Sequence, residues 1–123
     1  MMKKNLQVLV VVAIAAIGLF VMAADKGGEF ITGTQAKALV QKEKAFLLDV
    51  RTAAEFAGGH IDGAANIPVQ ELEAKMATLP AKKDQPVVVY CRSGHRSAMA
   101  KEMLEKAGYT KVHNLGPMTN WDK

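Results

Sequence analysis

Val87-Val88-Val89-Tyr90-Cys91-Arg92-Ser93-Gly94-His95-Arg96-Ser97 carries the chain's one cysteine out of an apolar run and into a short basic loop. Val87 to Tyr90 are β-branched or aromatic without interruption, the pattern of a strand buried on both faces of a parallel sheet. From Ser97 the period changes. Ala100, Met103, Leu104 and Ala107 recur at i, i+3, i+4 and i+7, with Lys101, Glu102, Glu105 and Lys106 on the other face, which predicts an amphipathic helix running to Gly108. Cys91 is therefore expected at a strand's C-terminal end, in front of a helix N-terminus.

The thiolate, not the thiol, is the reactive form of cysteine, and this loop gathers features that favour it. A helix N-terminus presents unpaired N–H groups and the positive end of its peptide dipoles. Arg92 and Arg96 add full charges, and Gly94 lets backbone amides turn inward as an anion nest. The same donors suit an anionic substrate. Cys91 is thus the candidate nucleophile, and Arg92, Ser93, Gly94, His95, Arg96 and Ser97 are the candidate substrate-binding residues. The plainer reading is an inert core thiol, since free cysteine is among the most buried residue types. Two arginines and a glycine within the next five residues are poor company for a core.

Cys91 to Ser97 after a Val-rich strand resembles the active-site loop of rhodanese-type sulfurtransferases. Upstream, Leu48-Asp49-Val50-Arg51, then Glu55-Phe56, then Gly59-His60-Ile61-Asp62-Gly63-Ala64-Ala65-Asn66-Ile67-Pro68 is similar to the family's other signature. Downstream, Gly108-Tyr109, Val112 to Gly116 and Trp121 are similar to its closing segment. The resemblance covers the chain from about Ile31 onward, and two signatures in order specify more than the loop alone. It implies an α/β fold, a three-layer rhodanese-like domain with a mainly parallel, about five-stranded central sheet flanked by helices. It further implies a thiosulfate sulfurtransferase working through a Cys91 persulfide, similar to short exported rhodaneses of the phage-shock type. Four residues separate Cys91 from Arg96, as in the sulfurtransferase branch. The similar loop of cell-cycle phosphatases and arsenate reductases is one residue longer, a wider cradle for phosphate or arsenate. A phosphatase or arsenate reductase, and a non-catalytic persulfide carrier or partner-binding domain, stay open as alternatives.

Met1 to Ala24 reads as a targeting segment. Lys3 and Lys4 make a positive head, Val8 to Phe20 an apolar stretch, and Val21-Met22-Ala23 suits cleavage after Ala23. The expected organisation is a signal peptide over 1–23, a linker over 24–30 and the rhodanese domain over 31–123, in a periplasmic or otherwise exported protein. The competing reading keeps the segment as an uncleaved inner-membrane anchor, because Leu6 to Ala24 nearly spans a bilayer and only Gln7 interrupts it. Membrane contact is expected in that case alone. Removing Lys3 and Lys4 from the 16 basic residues leaves 14 against 12 acidic ones, so the formal charge falls from +4 to about +2. With no basic run or aromatic interleaving, no nucleic-acid partner is expected. About 100 residues remain, enough for one modest domain.

A lone cysteine excludes an intramolecular disulfide and a resolving cysteine in the same chain. Sulfur or an oxidised species formed on Cys91 must leave to another molecule. The expected partners are therefore a small anionic sulfur donor, a thiol or cyanide acceptor, and an external, thioredoxin-like reductant. Three histidines and one cysteine without metal-ligand spacing point to no metal, and no cofactor is expected.

Phe30 to Thr32 reads as an edge strand, Thr34 as the N-cap of a helix carrying Ala36, Leu39 and Val40 inward, and Phe46 to Val50 as a buried strand. Asp49 and Arg51 at its end read as a pair that fixes the loop rather than as catalysts. Ala53 to Ala57 makes a helical turn before Gly58-Gly59. His60 invites a protease-like pairing with the cysteine, but the resemblance implies that it supports the turn before a short strand at Ala64 to Asn66. For His95 the resemblance implies a substrate contact rather than a general base. Val69, Leu72, Met76 and Leu79 recur at helical spacing between Pro68 and Pro80, which predicts a helix there. Lys111 to Asn114 reads as the last strand. Pro117, where related chains often have a second glycine, suits the first turn of a short final helix.

Overall fold

The computed structural model describes residues 29–123. The expected signal peptide or anchor, and most of the linker, lie outside the described residues. In chain order the elements are α1 (Gly33–Lys42), β1 (Phe46–Asp49), α2 (Ala53–Ala57), β2 (Ala65–Asn66), β3 (Val87–Cys91), α3 (His95–Lys106) and β4 (Val112–Pro117). The strands form one sheet in the order β2-β1-β3-β4, every neighbouring pair parallel.

Successive residues of a strand face opposite sides of the sheet, and that alternation separates two apolar cores. Val87, Val89 and Cys91 pack with Leu48, Leu72, Ala100 and Leu104 on one face. Val88 and Tyr90 pack with Ala36, Leu47 and Leu115 on the other. All five residues of β3 are buried, as the uninterrupted apolar run predicts. The fold is the expected three-layer α/β arrangement.

Among the described residues the sheet has four strands rather than about five. Phe30 to Thr32 runs beside β4 and is held by the Ile31 N–H donating to the Asn114 carbonyl at 2.9 Å, but it does not become a strand because Thr32 is already a helix cap. The Thr32 hydroxyl accepts from the Gln35 N–H at 3.1 Å, and Gln35 Oε1 accepts from the Thr32 N–H at 2.8 Å, a reciprocal capping box. The cap of α1 is therefore Thr32, not Thr34. Between Pro68 and Pro80 the predicted helix is replaced by two 3-10 turns, Val69–Glu71 and Met76–Thr78. Three residues per turn bring Val69 and Leu72 into the core together as readily as 3.6 do, so spacing alone misreads the segment.

β4 runs on to Pro117, with a register irregularity that sets Tyr90 opposite Gly116. Pro117 then opens the expected final turn, Met118–Asp122. This turn closes over α1, where a side chain at Gly33 would collide with the Asn120 and Trp121 carbonyl oxygens. β2 lies on one side of β1, and β3 and β4 on the other. Strand order thus reverses between β1 and β3, the kind of switch point outside whose strand ends α/β sheets form sites. Among the described residues, no helix is long and apolar enough to cross a membrane.

Candidate active site

β3 delivers Cys91 to this switch point, and the chain turns sharply at Gly94. Its φ of +100° lies in the left-handed region that side chains disfavour. The turn sends backbone donors back toward the strand end: the Gly94 N–H donates to Cys91 Sγ at 2.9 Å and the Ser97 N–H at 3.4 Å. α3 begins at His95 with Gly94 as an N-cap that has no side chain to offer. The sulfur takes the place that a serine or aspartate oxygen fills at an ordinary helix start. The helix thus begins two residues before Ser97, and the last loop residues are its first turn.

Ser97 Oγ lies 3.4 Å from the sulfur and 3.1 Å from the Gly94 carbonyl oxygen. Its single proton can serve either acceptor. A Cys91 thiol donates to Ser97 Oγ, which then donates to Gly94; an ionised sulfur instead accepts the serine proton. Cys91 is buried, and burial alone pushes a thiol pKa up. Hydrogen bonds from the Ser97 hydroxyl, the Ser97 N–H and the Gly94 and Ser93 N–H groups outweigh that effect, so the Cys91 pKa lies below its ordinary value.

Arg96 does not stand open beside the sulfur. Its Nη1 and Nη2 donate to Glu55 Oε1 and Oε2 at 2.7 and 3.1 Å. Glu55 also caps α2, accepting from the Thr52 N–H at 3.0 Å. Arg96 first, and Thr52 second, hold the Glu55 carboxyl down to about 2. The Thr52-x-x-Glu55 spacing signals the capping box, but nothing in the sequence signals the second partner 41 residues away. Ser93, Arg92 and His95 are exposed. Arg92 lines a groove of about 380 Å³ with Arg51, Ala54, Glu55, Gly58, Gly59, Met118 and Thr119.

The other charged strand end is closed. Arg51 Nη2 lies 2.6 Å from Asp49 Oδ2, its Nε lies 3.0 Å from both carboxylate oxygens, and Nη2 also donates to the Gly59 carbonyl at 2.7 Å. Asn66 Nδ2 ties down the Asp49 and Arg51 carbonyls at 3.0 and 2.9 Å. His60 is engaged by Phe56, not by Cys91, whose partners are Gly94 and Ser97. Its ring stacks on Phe56 at 3.6 Å, and its Nδ1 is 2.9 Å from the Phe56 carbonyl. Among the described residues, no cluster of three or more His, Cys, Asp or Glu side chains could hold a metal ion.

A family model described as a rhodanese-like domain matches residues 32–123. Thiosulfate sulfurtransferase PspE of Escherichia coli (strain K12) is 40% identical over 91 residues, covering 71% of this chain and 88% of that protein. The thiosulfate:glutathione sulfurtransferase of Homo sapiens is 32% identical over 108 residues, covering 77% and 94%. A solved human single-domain sulfurtransferase superposes with a TM-score of 0.67 at 31% identity, over 77% of this chain and 96% of that one. A cysteine at a strand end ringed by backbone donors on this scaffold, with those relatives, places the chain in the rhodanese-like family as a sulfurtransferase.

Proposed function

We propose that the chain takes the sulfane sulfur of thiosulfate, or of a similar anionic donor, onto Cys91 and passes it to cyanide or a thiol. The Cys91 thiolate attacks the outer sulfur of thiosulfate. The donor's S–S bond breaks, its electron pair leaves with sulfite, and the negative charge comes to rest on the outer sulfur of a Cys91 persulfide. An acceptor nucleophile then attacks that outer sulfur and the Cys91 S–S bond breaks. The products are thiocyanate or a new persulfide, together with the restored thiolate. Neither step needs a proton relay, so preorganised donors supply the stabilisation.

The observation that carries this reading is the donor set around one sulfur: the Gly94 N–H at 2.9 Å, the Ser97 N–H at 3.4 Å and the Ser97 hydroxyl at 3.4 Å. Arg92, on the groove beside the loop, takes the anionic end of the donor. Ser93, Gly94, His95 and Ser97 surround the transferred sulfur, and Arg96, held by Glu55, adds positive potential without leaving its partner. The names of the Escherichia coli and human relatives support thiosulfate as donor and a thiol as acceptor. Export through the N-terminal segment, and an external thioredoxin-like reductant for an oxidised Cys91, complete the reading.

Intact-mass spectrometry tests it. Incubation with thiosulfate should add the mass of one sulfur atom, cyanide or glutathione should remove it, and Cys91→Ser should gain nothing. Equal loading of Cys91→Ser, or no loading of the wild type by any anionic sulfane donor, would overturn it. The same spectrum reports whether the chain is processed after Ala23.

A further inference from the structure

Phe30 is a large apolar side chain left 42% exposed, yet its ring packs against backbone at two places. A methyl group built on Gly94 would come 2.5 Å from Phe30 Cζ, and one built on Gly116 would come 2.7 Å from Phe30 Cγ. The ring therefore lies directly on backbone at two positions where no side chain intervenes. Both have positive φ, +100° at Gly94 and +80° at Gly116. The first supplies the N–H nearest Cys91 Sγ, and the second faces Tyr90 at the irregularity between β3 and β4. Phe30 is a wedge between the reactive loop and the end of β4. The Ile31 N–H bond to the Asn114 carbonyl at 2.9 Å fixes its backbone, and the Gly116 N–H donating to Asn114 Oδ1 at 2.8 Å fixes the surface beneath it.

We propose that Phe30 is a positioning residue for Cys91: its ring backs Gly94 and keeps the Gly94 N–H aimed at the sulfur. Glycine has the widest backbone freedom of any residue, and as an N-cap it has no side chain of its own to hold the turn. The Ser97 hydroxyl and the Ala98 N–H, each at 3.1 Å, hold the Gly94 carbonyl, which belongs to the following peptide; the tilt of the preceding peptide, which carries the Gly94 N–H, is left to what packs against it. A hydrogen bond to an ionised acceptor is short and directional, and it weakens steeply as the donor turns away. Removing the ring should therefore release the peptide and cost the thiolate its nearest donor.

The proposal rests on Cys91 being the nucleophile of the sulfur-transfer reading, but its test reads the thiol directly. The pH dependence of Cys91 alkylation by iodoacetamide is measured on the full chain, with kcat and KM for thiosulfate and cyanide. Phe30→Ala should raise the alkylation midpoint by about one pH unit, equivalent to an approximately tenfold loss of thiolate below the midpoint. Phe30→Leu, a milder change for use if the alanine variant folds poorly, should shift it by about half as much. Ile31→Ala is the control for a merely structural role, because Ile31 packs with the second apolar core. It should lower the melting temperature and leave the midpoint in place. An unmoved midpoint in both Phe30 variants, or an equal shift in Ile31→Ala, would overturn the proposal. A shifted midpoint in a protein whose wild type accepts no sulfane sulfur would instead sink the sulfur-transfer reading and leave the positioning role standing.

Discussion

β1 and β3 are neighbouring parallel strands whose C-terminal ends both carry charged loops, and the two loops use their polar groups in opposite ways. After β1, Asp49 and Arg51 satisfy each other in a buried fork, with Gly59 and Asn66 taking up what remains. After β3, backbone donors converge on a sulfur whose protonation is itself variable, and Arg92 is exposed to solvent. Charge at a strand end therefore does not mark reactive chemistry. What marks it is a set of donors whose acceptor can change.

The sharpest way to break this contrast is to remove one member from each loop. Cys91→Ser should reduce sulfur transfer to background while the protein melts within a few degrees of wild type, because a serine oxygen can still accept from the Gly94 and Ser97 N–H groups. Thiosulfate:cyanide turnover beside a thermal melt checks both halves. Asp49→Ala should do the reverse. It strands the Arg51 guanidinium, whose side chain is 7% exposed, and breaking a buried ion pair from one side costs about 3–5 kcal/mol. Urea unfolding should show that loss. The alkylation midpoint of Cys91 in the folded fraction should stay put; a large shift would merge the two loops into one functional unit.

The sequence discloses the two loops unequally for physical reasons. Val87 to Tyr90 are legible because a central strand in a parallel sheet tolerates no polar interruption, and Cys91 follows them without a gap. The Asp49 and Arg51 pair is legible because its members are two residues apart. The Thr32-x-x-Gln35 spacing also signals a cap, but Thr34 has a hydroxyl too and the apolar pattern does not choose between them. Val69 and Leu72 suit two helical periods at once. The Arg96 and Glu55 pair is long-range and leaves no local pattern. Phe30 is hidden more deeply, because its partners Gly94 and Gly116 have no side chains to form one.

Arg96 lies between the two kinds of loop, a member of the Cys91 loop that is nevertheless paired. Arg96→Ala should therefore weaken donor use more than stability. A partly exposed ion pair contributes about 0–1 kcal/mol to folding, whereas removing a full positive charge that sits beside the loop without touching the donor is worth about 1–2 kcal/mol on a bound anion, roughly five- to thirtyfold in kcat/KM for thiosulfate. Unchanged rates across all donor concentrations would mean that Arg92 and the backbone amides form the anion site without help from Arg96.

Glu55→Gln separates the charge of that pair from its geometry. The Glu55 carboxyl is held down to about 2 in the folded protein, against an ordinary value of 4.5. A depressed carboxyl stabilises the fold above its unfolded pKa and ceases to do so as pH falls through its folded pKa. The Glu55 contribution should be complete above about pH 4.5 and fade between there and pH 2. With a quarter of the side chain exposed, solvent screening keeps it below about 1 kcal/mol. Urea midpoints of wild type and Glu55→Gln should accordingly differ slightly at pH 7 and converge as the pH is lowered. Glutamine can still accept from Thr52 and close the capping box. A gap that stays constant down to pH 2 would assign the contribution of Glu55 to side-chain geometry at the start of α2, and Arg96 would then owe its position to packing rather than to its ionic partner.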